Sequence, residues 1–246
     1  MKMARFSIAT AGTWTLAAGF LLLAGSATSA VAGPIGDEGS FQQTRQSGYY
    51  TGNGGEFTVY GFGSSLNVTG YTSASSNIGS MDPSFQTFCL ESSEYAASPS
   101  YFKVNSAAVG GGNEAVGGKD PISVGTAWLY TQFATGTLNN YFTGDRTVKA
   151  GQLQQAIWWL EGEDGNQDLM TNQFYSAAVT FFGSAAAAQA DAQAGYLGVY
   201  VLNNYTNAAR TEKAQDFLYR VPDGGTTLML LGAALVGLRG LRRKLA

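Results

Sequence analysis

Between Phe41 and Val104 short apolar runs alternate with Gly, Ser and Asn, and this pattern predicts β-strands. Gly55–Phe62 and Ser65–Tyr71 are the clearest runs. A Ser/Asn/Gly loop over 72–80 follows, and then a strand over Phe85–Glu91. In that strand Phe85, Thr87, Cys89 and Glu91 share one face, while Gln86, Phe88 and Leu90 share the other. Cys89 is therefore expected off the more apolar side. Tyr101–Asn105 adds another short strand. The Gly-rich stretch Val109–Lys119 reads as a loop, and it lacks the GK[ST] ending of a phosphate cradle.

After Pro121 the period lengthens from two to that of a helix. Ser123 is placed to cap a helix running to about Ala134, with Trp128, Leu129 and Tyr130 packing inward. A second helix is predicted over Ala150–Glu161 with Thr147 as its cap. Leu153, Ile157 and Leu160 make its core stripe, flanked by Gln154 and Trp158. A third, Ala-rich helix is expected over Asn172–Gln193. Tyr196–Leu202 and Phe217–Tyr219 return to strand. The fold expected for 33–220 is thus α+β: a β-sandwich or barrel-like sheet with a helical insertion.

The two ends follow other patterns. Lys2 and Arg5 precede an apolar run over Ala17–Ala24, and small residues then lead to Ala30-Val31-Ala32, the order of a signal peptide. Cleavage is expected after Ala32. At the other end, Val221, Pro222, Asp223, Gly224 and Gly225 form a turn. An apolar run from Thr227 to Leu238 follows, and then Arg239, Arg242, Arg243 and Lys244. The run falls short of the ~20 residues a membrane helix needs, and the basic end is expected to stay cytoplasmic. This tail over 221–246 resembles the PEP-CTERM class of bacterial sorting signals, in its VPDSG-CTERM variant, with Gly224 in place of Ser. The resemblance implies an exosortase as partner and transient membrane contact through the short apolar sorting helix. It also implies an exported product, at the cell surface or extracellular, with a membrane-anchored precursor.

Charge and composition then exclude chemistry. The chain carries 14 basic and 17 acidic residues, and several basic ones lie in the terminal segments, so no basic patch for nucleic acid is expected. There is no histidine, which removes His-based triads and His-ligated zinc. No cofactor and no metal is expected, and the chain does not read as an enzyme. Glu91 and Glu94 are a poor pair for glycoside hydrolysis, being expected simply exposed at a strand end. Glu161, Glu163, Asp164, Asn166 and Asp168 form an acidic loop whose spacing is not that of an EF-hand.

The one cysteine, Cys89, sits in Phe88-Cys89-Leu90-Glu91, and Leu153-Gln154-Gln155-Ala156-Ile157-Trp158 lies on the second helix. Together these resemble the thioester (TQXA) domains of bacterial surface adhesins, in which a strand-borne Cys bonds to a helix-borne Gln. The resemblance implies a Cys89–Gln154 thioester that captures surface amines or hydroxyls, and a role in adhesion or matrix structure. Leu153 stands where that family has Thr, and a literal TQFA at Thr131–Ala134 makes Gln132 the alternative partner. The other reading is a non-covalent structural or exopolysaccharide-associated surface protein with Cys89 as an inert buried hydrophobe. Neither Cys89→Ala nor Gln154→Ala deletes a large apolar group, so each is expected to cost little stability.

Overall fold

The structure is a computed structural model that describes residues 34–109, 117–163 and 171–221. The signal-peptide segment and the tail beyond Val221, with Pro222 to Gly225 and the basic residues Arg239 to Lys244, lie outside the described residues.

Six antiparallel strands form one sheet in the order β3-β2-β1-β4-β7-β8. They are β1 (Glu38–Thr44), β2 (Phe57–Tyr60), β3 (Ser84–Thr87), β4 (Ser100–Asn105), β7 (Val199–Tyr205) and β8 (Lys213–Arg220). A hairpin, β5 (Ala107–Val109) with β6 (Lys119–Pro121), brackets the Gly-rich loop. The sheet curls as a half-barrel until its two ends meet. Just past β3, Leu90 N–H donates to Asp216 O (3.1 Å) and Leu218 N–H to Phe88 O (3.3 Å), on either side of a Cys89–Phe217 bridge.

Alternation along the strands divides the core in two. Phe41, Phe57, Val59, Phe85, Phe102, Leu202 and Phe217 fill the inner side, and Cys89 packs among them. Val199, Val201 and Leu218, with Phe88 and Leu90, face outward onto the helices. Both faces of the Cys89 segment are therefore apolar. The expectation that Cys89 lies off the apolar side is wrong, because that expectation took the sheet to be buried on one face only.

The helices are α1 (Val124–Ala134), α2 (Arg146–Leu160), α3 (Gln173–Phe182) and α4 (Ala185–Ala188). Ser123 caps α1 through Thr126 N–H, as its position predicts. Leu129 and Tyr130 are buried; Trp128 is half-buried at the edge of the core, where it stacks on Phe181 at 4.7 Å. α2 begins a turn earlier than expected, because Asp145 rather than Thr147 accepts the free N–H groups, those of Thr147 and Val148. The single Ala-rich helix expected over 172–193 is broken after Phe182. Gly183 takes a left-handed conformation there, and Ser184 starts α4. Ser65–Tyr71, expected as a strand, forms turns instead. Within it, Asn67 N–H donates to the Tyr219 hydroxyl and Asn67 O accepts from it, which ties that stretch to β8.

Helix α2 positions the site. Ala150, Leu153, Ala156, Ile157 and Leu160 are buried along one stripe. At its N-terminus Arg146 makes two 2.7 Å bonds to the buried Glu56 carboxylate, which also accepts from Tyr141 and Gln86. Burial pushes the Glu56 carboxyl up, while Arg146, Tyr141 and Gln86 pull it back. At its C-terminus, Gly162 N–H bonds Trp159 O and Glu163 N–H bonds Trp158 O. This closure places the backbone of Glu163 directly past the end of α2.

Candidate functional site

Gln154 sits beside the core stripe of α2 and is only 1% exposed. Its carboxamide lies against the backbone of Cys89 as a neighbouring strand would. Nε2 donates to Cys89 O and Oε1 accepts from Cys89 N–H, both at 2.9 Å. Oε1 also accepts from Gly55 N–H at 2.9 Å. Every one of these groups is buried, so the amide supplies hydrogen bonds that no strand provides on that side.

The loop entering β2 is shaped around this contact. A Cβ on Gly54 would come within 2.0 Å of Gln154 Cγ, and one on Gly55 within 2.7 Å of Thr87 O. Only glycine permits so close an approach. The run Gly52-Asn53-Gly54-Gly55 hinted at a turn in the sequence, but nothing in it pointed to Gln154.

Beyond the amide, Cys89 lines a pocket of about 480 Å³, together with Gln43, Arg45, Asn53, Phe57, Glu94 and the largely exposed Tyr95. Arg45 is held by Gly52 O and Asn53 O and lies over the Phe57 ring. Burial pushes the Cys89 thiol well up; nearby Arg45 lowers it and Glu94 raises it. Burial likewise raises the Glu94 carboxyl, whose Oε2 meets no hydrogen-bond partner. The site therefore holds a neutral thiol against an amide, at the edge of an open pocket.

A second buried glutamine, unnoticed in the sequence, lies on the strand that bridges to Cys89. Gln215 is 1% exposed, and its Nε2 donates to Asp216 O, the carbonyl that also accepts Leu90 N–H. Its Oε1 has no partner. A lone glutamine in a polar strand carries no signal of such a position. Gln132, by contrast, is on α1 beside Trp128 and Thr137, lining a different, surface pocket. Of the two glutamines weighed from sequence, the fold brings Gln154 to Cys89.

The acidic residues are arranged differently from their sequence order. Glu91 is 2% exposed rather than exposed at a strand end, and Asp120 on β6 and Glu163 past the end of α2 lie against it. Its carboxylate meets those of Glu163 and Asp120, with ligand oxygens all within 4.8 Å of one another. Glu163 Oε2 also accepts from Ser92 N–H and Oγ. Burial, then the Glu163 carboxylate, raise the Glu91 carboxyl to about 9. Glu161 points elsewhere, accepting from Ser123 N–H and Oγ at the start of α1. Glu91 and Glu94 do not converge as a pair: one faces Asp120, the other the Cys89 pocket. Asp164, Asn166 and Asp168 lie outside the described residues.

Among known proteins, the VPDSG-CTERM motif model matches residues 220–245. No curated protein and no solved structure matches the chain. The motif implies an exported, surface-associated protein processed by an exosortase. Of the motif, the described residues include Arg220 and Val221; Val221 N–H donates to Gly198 O, so the motif starts directly from the folded sheet. Among the described residues no helix is long and apolar enough to cross a membrane.

Proposed function

We propose that this exosortase-sorted domain is a covalent surface adhesin or matrix protein, armed by an internal thioester between Cys89 and Gln154. One observation carries the reading. Two buried N–H donors, from Cys89 and Gly55, converge at 2.9 Å on the Gln154 carboxamide oxygen, beside the chain's only thiol. Donors so placed polarise a carbonyl and stabilise the oxyanion formed when sulfur adds to it.

The chemistry balances without a histidine. Cys89 Sγ adds to Gln154 Cδ, the C–N bond breaks, and the thiol proton leaves with the amide nitrogen as ammonia. A C–S bond remains. Orientation and exclusion of water supply the rate, since the buried thiol is weakly ionised. The pocket beside Cys89 then admits one amine or hydroxyl from another surface, with Glu94 offering a carboxylate to an incoming ammonium. The acyl group moves to that nucleophile and the thiol is released. Each molecule reacts once, so the protein is not a turnover enzyme.

A second reading keeps Cys89 inert, in a non-covalent structural or exopolysaccharide-associated protein. Its support is the packing of Cys89 against the inner aromatic cluster. Intact-mass measurement separates the two. In the thioester reading the purified chain weighs one ammonia less than its sequence and takes up a thiol reagent only after methylamine treatment. Gln154→Ala abolishes the deficit, while Gln132→Ala leaves it intact. Loss of the deficit in Gln215→Ala with its retention in Gln154→Ala would move the acyl donor to β8. A full mass and a thiol that labels on unfolding, in protein never exposed to nucleophiles, would leave the inert reading.

A further inference from the structure

We propose that Glu91, Asp120 and Glu163 form a binding site for a hard divalent cation, Ca²⁺, that ties the Cys89 segment to the end of α2. The three residues arrive from separate elements: the continuation of β3, strand β6 and the turn after α2. Their ligand oxygens lie within 4.8 Å of one another and all three residues are buried. An independent feature points to a ligand. Glu91 is 2% exposed, yet its Oε2 meets no hydrogen-bond donor. A buried carboxylate oxygen without a donor is costly, and a bound cation supplies the missing interaction.

The surroundings favour the same charge. Glu163 stands just past the C-terminus of α2, where the last carbonyls make the helix end negative and attract cations. Three carboxylate oxygens brought this close raise the local negative potential and favour a cation among them. Glu163 is already oriented by Ser92 N–H and Oγ, so the site is partly preorganised. The donor set is all oxygen, and the chain has no histidine, which disfavours zinc, copper and nickel. Ca²⁺ accepts irregular carboxylate cages, whereas Mg²⁺ keeps several waters and demands near-octahedral geometry. The buried position leaves little room for such waters.

Such an ion would act at a distance from the thiol chemistry, and this proposal does not depend on it. It clamps one end of the segment whose other end is held by Gln154. The test is calorimetric titration of the purified chain, stripped with EDTA, using CaCl₂ and in parallel MgCl₂, with thermal unfolding alongside. One Ca²⁺ is expected per chain, with a dissociation constant on the order of 10⁻⁴ M, as in extracellular modules. About 10 mM CaCl₂ should then raise Tm by about 5–10 °C. Glu91→Gln should weaken Ca²⁺ at least ~10-fold. Glu163→Gln gives the same loss of binding while keeping an acceptor for Ser92. No Ca²⁺ binding at about 10 mM by folded protein would overturn the proposal. Binding undiminished in both variants would overturn it too, by placing the ion elsewhere.

Discussion

The two ends of one short segment solve the same problem in opposite ways. At Cys89 the backbone is met by a neutral carboxamide, and each polar group of that contact has its partner. At Glu91, two residues on, carboxylates crowd together and one oxygen has none. A satisfied neutral clamp contributes rigidity whatever the pH or ion content. A crowded anionic cluster stabilises the fold only when a proton or a cation joins it. The half of the site that positions the thiol is thus set by folding alone, and the other half by the medium.

The clamp gives the largest expected effect. Gln154→Ala leaves Cys89 N–H, Cys89 C=O and Gly55 N–H buried without partners. At about 1–3 kcal/mol for each stranded group, the loss should be about 3–5 kcal/mol after partial relaxation. This replaces the small cost expected from sequence, where only apolar volume was counted. Urea unfolding of the amine-treated protein measures it free of any cross-link. A loss under about 1 kcal/mol would show that water replaces the amide, and the contrast between the two ends would collapse.

A smaller effect is expected on the anionic side, in the pH dependence. Asp216, whose carbonyl holds Leu90 N–H, has its carboxyl raised to about 7 by burial, despite bonds from Val109 N–H, Asn204 N–H and Asn203. A raised carboxyl means the folded chain holds a proton that the unfolded chain releases first. Its contribution is full below the ordinary carboxylate range and is lost as pH climbs to about 7. Tm in EDTA should therefore fall from pH 4 to about pH 7, and the fall should be shallower in Asp216→Asn. An unchanged slope in that variant would assign the titration to other groups.

How much of this the sequence disclosed follows from range. The stripe Leu153-Ile157-Leu160 and the Ser123 cap are local patterns, and both appear in the fold. The pairing of Cys89 with Gln154 was legible only through a family resemblance, since nothing local relates residues separated by 65 positions. A curled sheet was legible only as one of two alternatives, a sandwich or a barrel-like sheet; that both of its faces are covered was not, and with it went the placement of Cys89. Period-two alternation reports which residues share a face but not whether both faces are covered. Asp120 was invisible for the same reason: Lys119-Asp120-Pro121 looks like the edge of a loop until β5 pairs with it. Long-range closure makes the anionic cluster, and it has no one-dimensional signature.

The smallest effect sharpens the comparison most, because it concerns the sulfur itself. Cys89→Ala removes one small group from the inner cluster and leaves both backbone bonds to Gln154 in place. In amine-treated protein, where no thioester can remain, it should cost about 1 kcal/mol. In protein never exposed to amines the same substitution should cost more. The proposed bond joins residues 65 apart and would restrict the unfolded chain as a disulfide does. Paired urea unfolding curves of wild type and Cys89→Ala, before and after methylamine, give both differences. Equal small costs in the two states would mean that no cross-link forms. A large cost after methylamine would mean that the side chain, rather than the backbone contact with Gln154, holds the segment in the sheet.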